Sequence, residues 1–167
     1  MTDPAIDLAG LTFAWPAQPP LLDIPSLRVA RGERVLLQGP SGSGKSTLLG
    51  LLGGVLVPGR GSVRILGTDL RALGATQRDA FRADHIGIVF QQFNLLPFLS
   101  ALENVTLACR FSARRTQRAG NAAAEARRLI AALGLDPDAL GTRSARELSG
   151  RTAAPRPAEH RGRARPS

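Results

Sequence analysis

Several features are scarce in this sequence, and each scarcity excludes a class of protein. Cys109 is the only cysteine of the 167 residues, which excludes an internal disulfide and favours a reducing compartment. No apolar run approaches the length needed to span a bilayer. No basic start is followed by an apolar signal core, so we expect a cytoplasmic protein, with peripheral attachment to a membrane protein left open.

Acidic residues are also few, and the excess positive charge comes almost wholly from arginine. The net charge is +9, and Lys45 is the only lysine among 22 basic residues. Residues 151–167 hold five Arg against one Glu and contain no Val, Ile, Leu or Phe, so we expect a disordered tail. A positive net charge can indicate nucleic-acid binding, but residues 151–167 contain no aromatic side chains between the arginines that could stack on bases. We therefore expect no nucleic-acid partner and interpret the segment as a solvated basic tail.

A glycine-rich segment carries the strongest chemical signal. Residues 39–46 read Gly-Pro-Ser-Gly-Ser-Gly-Lys-Ser, a complete G-x-x-x-x-G-K-[ST] phosphate-binding loop. In such a loop the backbone N–H groups close around the phosphates, Lys45 reaches the β and γ phosphates, and the Ser46 hydroxyl ligates Mg²⁺. A helix N-terminus behind the loop adds its amides and its dipole to the anion site. The predicted phosphate contacts are Gly39, Ser41, Gly42, Ser43, Gly44, Lys45, Ser46 and Thr47.

The rest of the pattern predicts an α/β protein without internal repeats. The predicted strands are residues 5–15, 26–30, 34–38, 62–66 and 86–90. The predicted helices are residues 46–52, 76–84, 100–109 and 121–133. Ser100 and Glu103 form a capping box at the third helix, while Asn121 and Gly134 bound the fourth. The run at 86–90 is apolar throughout, which is typical of a strand covered on both faces of a parallel sheet.

Three spaced features together resemble one family. They are the phosphate loop at 39–46, the segment 86–97 that contains Gln91, and Leu148-Ser149-Gly150 beyond a helical stretch. In combination they resemble the nucleotide-binding subunits of ABC transporters. Residues 87–105 are especially similar to the branch that serves lipoprotein release and macrolide export.

The resemblance implies a fold, cofactors and partners. The fold would be a P-loop NTPase core of the RecA-like type with an N-terminal antiparallel β-subdomain and a helical subdomain. Residues 1–150 would be a partial nucleotide-binding domain whose helical part covers about 95–150, followed by the tail at 151–167. The implied cofactors are ATP and Mg²⁺. The implied partners are a membrane-spanning permease subunit and a second copy in a head-to-tail homodimer, on the inner face of the cell membrane.

The resemblance also assigns roles to residues outside the phosphate loop. Trp15 would stack on adenine, as an indole face can, although a core or surface role stays open. Gln91 would contact Mg²⁺ and the attacking water and link the site to the membrane subunits, because its amide both donates and accepts. Apolar residues after Gln91 would receive a membrane-domain helix or form the core of the helical subdomain. These residues are Phe93, Leu96, Pro97, Phe98 and Leu99.

The resemblance breaks after Gly150. In the family the signature Leu-Ser-Gly-Gly-Gln binds the γ phosphate of the opposite subunit; here Leu148-Ser149-Gly150 is a remnant followed by Arg151 and Thr152. No apolar strand ending in Asp-Glu follows, so the catalytic Glu is missing, and His160 has no strand before it that would make it the switch histidine. His85 is interpreted as structural. We expect a chain that is truncated or frameshifted after Gly150 and defective in hydrolysis.

Two other functions stay open beside an ATP-binding subunit of a membrane exporter. One is a non-catalytic nucleotide-binding or regulatory protein that occupies a transporter partner. The other is a different P-loop NTPase, such as a kinase or a GTPase, although the sequence contains no Asn-Lys-x-Asp guanine motif.

Overall fold

The computed structural model describes residues 3–90, 94–141 and 143–146. Its regular β structure is an antiparallel sheet of four strands in the order β2-β1-β3-β4. The strands are β1 Ile6–Ala14, β2 Pro20–Val29, β3 Arg60–Ile65 and β4 Thr68–Asp69. The predicted strands at 5–15 and 62–66 are confirmed. β2 is longer than the predicted 26–30, since it begins at Pro20. The first residue of a strand can be a proline, because the missing N–H group need not take part in the ladder there.

Six helices lie in the described residues. They are α1 Lys45–Leu52, α2 Ala75–His85, α3 Ala101–Arg110, α4 Ala113–Ala119, α5 Ala122–Ala132 and α6 Pro137–Gly141. The four predicted helices are confirmed, and so are the N-terminal caps predicted for the helices at 100–109 and 121–133. The Ser100 N–H donates to the Glu103 carboxylate at 2.8 Å while the Glu103 N–H donates to the Ser100 hydroxyl at 3.2 Å. The Asn121 side chain accepts from the N–H of Ala124 at 3.0 Å.

The chain forms two compact units. The first contains residues up to Val89 together with Phe111–Arg114 and holds the sheet, α1 and α2. One face of α1, with Leu48 and Leu51, is buried against the sheet. The buried core of this unit consists of Leu8, Leu11, Phe13, Leu22, Leu48, Leu51, Val63, Ile65 and Leu70.

The second unit is helical and contains Phe90–Arg110 and the residues from Arg115 onward. In it α3 packs against α5 and α6, and Ala126 and Ile130 are buried on one side of α5. An isolated bridge joins Ser100 to Ser144. No helix in the described part of the chain is both long and apolar enough to cross a membrane.

Two of the predicted strands are wrong. Residues 34–38 and 86–90 carry the apolar residues of buried strands, but neither run has strand structure. Leu36 is 78% exposed and Val89 is fully exposed. The physical reason is that a strand is held by ladder hydrogen bonds to a neighbour, and among the described residues no strand pairs with either run. Apolar composition alone does not supply that partner.

Candidate phosphate-binding site

The phosphate loop ends at an uncapped helix N-terminus. Gly44 is the N-cap of α1 with φ of 88°, a left-handed conformation that suits glycine, and its carbonyl accepts from the N–H of Leu48 at 2.8 Å. No side chain caps this helix, in contrast to α3 and α5. The first-turn amides of α1, which have no acceptor within their own helix, are therefore available to an anion.

Lys45 is the cation of the site. Its Nζ donates to the carbonyl oxygens of Gly39 at 2.8 Å and Pro40 at 2.7 Å, and lies 3.5 Å from the Ser43 hydroxyl. These partners are neutral, and among the residues that the structure describes Lys45 forms no ion pair. An ammonium without a carboxylate partner favours binding of an anion, since phosphate oxygens accept stronger hydrogen bonds from it than carbonyl oxygens do.

The hydroxyl side chains of the loop differ in their exposure. Ser41, Ser43 and Ser46 are exposed, whereas Thr47 is 8% exposed on the buried side of α1. An exposed hydroxyl at Ser46, directly after the lysine, can ligate a metal ion that phosphate oxygens also hold. No cluster of three or more His, Cys, Asp or Glu side chains occurs in the described ranges. A serine hydroxyl beside phosphate oxygens is a donor set that suits Mg²⁺, which retains several waters and is commonly bound through substrate phosphates.

A pocket of about 310 Å³ opens between the loop and the sheet. It is lined by Leu22, Ile24, Leu37, Gln38, Gly39, Pro40, Ser43, Gly44, Lys45 and Leu48. Two of its lining residues, Leu22 of β2 and Gly44, approach closely: a Cβ atom built on Gly44 would lie 2.6 Å from Leu22 Cδ2. Sequence reasoning missed Leu22, because no spacing pattern relates a strand residue to a loop that far along the chain.

Trp15 lies just beyond β1, in the same unit as the loop. Its ring stands perpendicular to that of Phe13, with the ring centroids 5.1 Å apart. Trp15 is 40% exposed while Phe13 is buried, so the phenyl ring supports an indole that solvent still reaches. A supported and partly exposed indole is suited to stacking on a flat ring.

The other predicted site residues are only partly described. Gln91, Phe93, Leu148, Ser149 and Gly150 lie outside the described residues, as do Arg151, Thr152 and His160. In the helical unit Phe98 is 73% exposed, which favours the surface interpretation for that residue over the core one. Leu96 and Leu99 are half-buried.

Sequence reasoning also missed Asn104, which holds the segment before α3. Its Oδ1 accepts from the Leu96 N–H at 2.8 Å, and its Nδ2 donates to the carbonyls of Leu96 and Leu99 at 3.1 and 3.3 Å.

The His85 ring packs on Phe81 with centroids 4.6 Å apart, and its Nδ1 lies 3.4 Å from Arg114.

Comparisons with known proteins agree on one family. Residues 22–152 match the family described as ABC transporter. The chain is 44% identical to the lipoprotein-releasing system ATP-binding protein LolD of Chromohalobacter salexigens, over 84% of this chain and 59% of the relative. It is also 44% identical to LolD 1 of Rhodopirellula baltica, over 75% of this chain and 52% of the relative.

Solved structures give the same result for the fold. The dimeric, post-hydrolysis ATP-binding cassette MJ0796 bound to ADP and Pi matches with a TM-score of 0.57 and 39% identity, over 64% of this chain and 47% of that one. A second dimeric structure of MJ0796 matches with a TM-score of 0.58 and 40% identity. The chain spans about half the length of the relatives it matches. The predicted P-loop cassette fold and the predicted resemblance are confirmed.

Proposed function

The chain belongs to the ABC transporter family, and on this premise we propose that it binds ATP with Mg²⁺ as the nucleotide-binding subunit of a membrane exporter. The observation that carries the proposal is the N-terminus of α1. Its amides have no side-chain cap, and the Lys45 ammonium beside them is held only by neutral oxygens. A triphosphate would accept hydrogen bonds from both sets of donors at once.

Each phosphate contact has a source in the loop. The backbone of Gly39 and residues 41–44 would surround the α and β phosphates, and the amides of Ser46 and Thr47 would extend that cradle. Lys45 would exchange its carbonyl partners for β and γ oxygens. Bound Mg²⁺ would neutralise charge on the β and γ oxygens, with Ser46 and, by the resemblance, Gln91 holding it. Trp15 would stack on the adenine ring.

The proposal includes partners on the family premise. MJ0796, which is similar over about half its length, is dimeric in both matching structures. We propose a head-to-tail homodimer for this chain as well, in which Leu148, Ser149 and Gly150 approach the opposite nucleotide. A membrane-spanning permease would bind the helical unit at the inner face of the membrane, where the exposed Phe98 offers apolar surface.

Turnover is a separate matter from binding. Phosphoryl transfer requires a group that orients the attacking water, and the 167-residue sequence contains no apolar run ending in Asp-Glu that would supply one. We therefore expect a polypeptide of this sequence to bind ATP with little hydrolysis. Magnesium-dependent hydrolysis that Lys45→Ala abolishes would contradict this expectation.

The test of the proposal is an ATP titration by calorimetry with and without Mg²⁺. Lys45→Ala should weaken binding about ten- to a hundredfold, the usual loss for hydrogen bonds to a charged group. Arg28→Ala is the matched control, because Arg28 is an exposed cation of the same unit that pairs with Asp7 at 3.2 Å. Equal affinities of the two variants would refute the proposal. ATP preferred over GTP would argue against a GTPase.

A further inference from the structure

A buried leucine connects the phosphate loop to the sheet. Leu22 of β2 is 9% exposed, and its Cδ2 is so close to the Gly44 backbone that a Cβ on Gly44 would lie only 2.6 Å away. The neighbouring Leu21 is also close, since its Cγ would lie 3.4 Å from the same Cβ position on Gly44. Carbon atoms in van der Waals contact are about 3.5–4.0 Å apart, so no space for a β-carbon remains between Gly44 and Leu22. The Leu22 side chain therefore packs directly against the loop.

The same leucine stands opposite the residue that supports Trp15. In the register of β1 and β2, Leu22 pairs with Phe13, so both side chains lie on one face of the sheet, within one buried core. Phe13 in turn holds the Trp15 ring edge-on at 5.1 Å. The register shifts immediately after Phe13, between Phe13 and Ala14, and such irregularities re-aim the side chains that follow.

These contacts form one continuous path inside a single unit, from Trp15 through Phe13 and Leu22 to Gly44. We propose that Leu22 is a positioning residue that sets the separation between the base subsite at Trp15 and the phosphate subsite at the loop. The inference rests on the proposed function, since it requires that ATP occupies both subsites. One ligand gains from two subsites only when their spacing matches its length, and Leu22, as a member of the packed core, holds a fixed position between them.

The test is a double-mutant cycle read with two ligands, ATP and inorganic tripolyphosphate, both with Mg²⁺. In the wild-type background Trp15→Ala should weaken ATP binding about tenfold, the usual value for one stacked base. In the Leu22→Ala background the same change should cost less than about threefold, because the two subsites are no longer aligned. Tripolyphosphate has no base, so its affinity should stay within about twofold of wild type in both single variants.

Two variants control for a general loss of packing. Leu27→Ala removes a half-buried leucine of the same strand that packs on the same core but pairs with Leu8 instead of Phe13. It should leave the cost of Trp15→Ala unchanged. Leu22→Met keeps the volume and should restore wild-type ATP affinity. Trp15 is the only tryptophan, so acrylamide quenching of its fluorescence should rise in Leu22→Ala and not in Leu27→Ala.

Several outcomes would overturn the inference. Additive losses in the cycle would do so, as would a wild-type ATP affinity in Trp15→Ala. A fall in tripolyphosphate affinity equal to that for ATP would mean that Leu22 only supports the loop. Failure of the proposed function would give a different result. The wild-type protein would then show no binding of ATP or tripolyphosphate that Lys45→Ala weakens.

Discussion

Replacing Gly44 by alanine should destabilise the protein more than the same change at Gly42. Both glycines have positive φ, 88° and 81°, so alanine at either position pays the cost of a left-handed conformation, about 1–2 kcal/mol. The surroundings differ. A Cβ on Gly42 would meet nothing within 4 Å, whereas a Cβ on Gly44 would lie 2.6 Å from Leu22 Cδ2.

The additional cost at Gly44 is one of overpacking. Leu22 lines the pocket beside the loop on one side and belongs to the core on the other, so moving its Cδ2 aside for a new methyl group disturbs core packing. Insertion of one extra methyl group into a packed core costs about 1–3 kcal/mol. We therefore expect Gly42→Ala to lower the free energy of unfolding by about 1–2 kcal/mol and Gly44→Ala to lower it by about 2–5 kcal/mol.

The assay is urea unfolding of both variants and the wild type, followed by far-UV circular dichroism. A third protein, Gly44→Ala with Leu22→Ala, separates the two terms, because removing the Leu22 side chain relieves the clash and leaves the backbone cost. Its loss should be smaller than the sum of the single losses by about 1–3 kcal/mol. Equal destabilisation by the two glycine substitutions, or strictly additive losses in the double variant, would refute the reasoning.

Three further predictions concern the helices. Leu51→Ala should lower the free energy of unfolding by about 2–5 kcal/mol, since Leu51 is 1% exposed. Leu49 is 60% exposed on the other side of α1, so Leu49→Ala should change that free energy by less than about 0.5 kcal/mol. Equal effects would contradict the packing of α1. Asn121→Ala should cost about 1 kcal/mol by thermal unfolding, because the Ala124 N–H loses its acceptor, and Asn121→Asp should restore it. Hydrogen bonds from Ser100, the backbone N–H above all, lower the pKa of Glu103 from its ordinary 4.5, so its contribution is present above that pH and lost as the pH falls through the lowered value. Glu103→Gln should flatten the pH dependence of stability in that acidic range, and an unchanged profile would contradict the assignment.

The local elements of the fold could be predicted from the sequence because their causes are local. The capping box of Ser100 and Glu103 and the cap at Asn121 satisfy amides within one turn, so the residues that form the helix are also those that mark its start. The motif of the phosphate loop is equally local: eight consecutive residues contain its glycines, its lysine and the hydroxyl proposed to bind the metal. The roles of Trp15 and Gln91 came from the family resemblance and stay predictions.

The strand predictions at 34–38 and 86–90 are wrong because strand formation does not have a local cause. Their apolar composition is that of a buried parallel strand, yet Leu36 and Val89 are exposed. Whether such a run becomes a strand depends on a hydrogen-bonding neighbour elsewhere in the chain, which no window around the run contains. The length of β2 also depends on a distant partner, since pairing with β1 extends this strand back to Pro20, well before the predicted 26–30.

The sequence by itself determined the chemistry of the phosphate site and the family to which the chain belongs, because those depend on consecutive residues and on their spacing along the chain. Only the tertiary structure decided which side chains meet. In it Leu22 packs against Gly44, and the Phe13 ring contacts the Trp15 ring. Lys45 donates hydrogen bonds to carbonyl oxygens of its own loop. The physical reason is that packing and strand register act between residues distant in sequence, where the contact is chosen by the whole fold rather than by neighbouring residues.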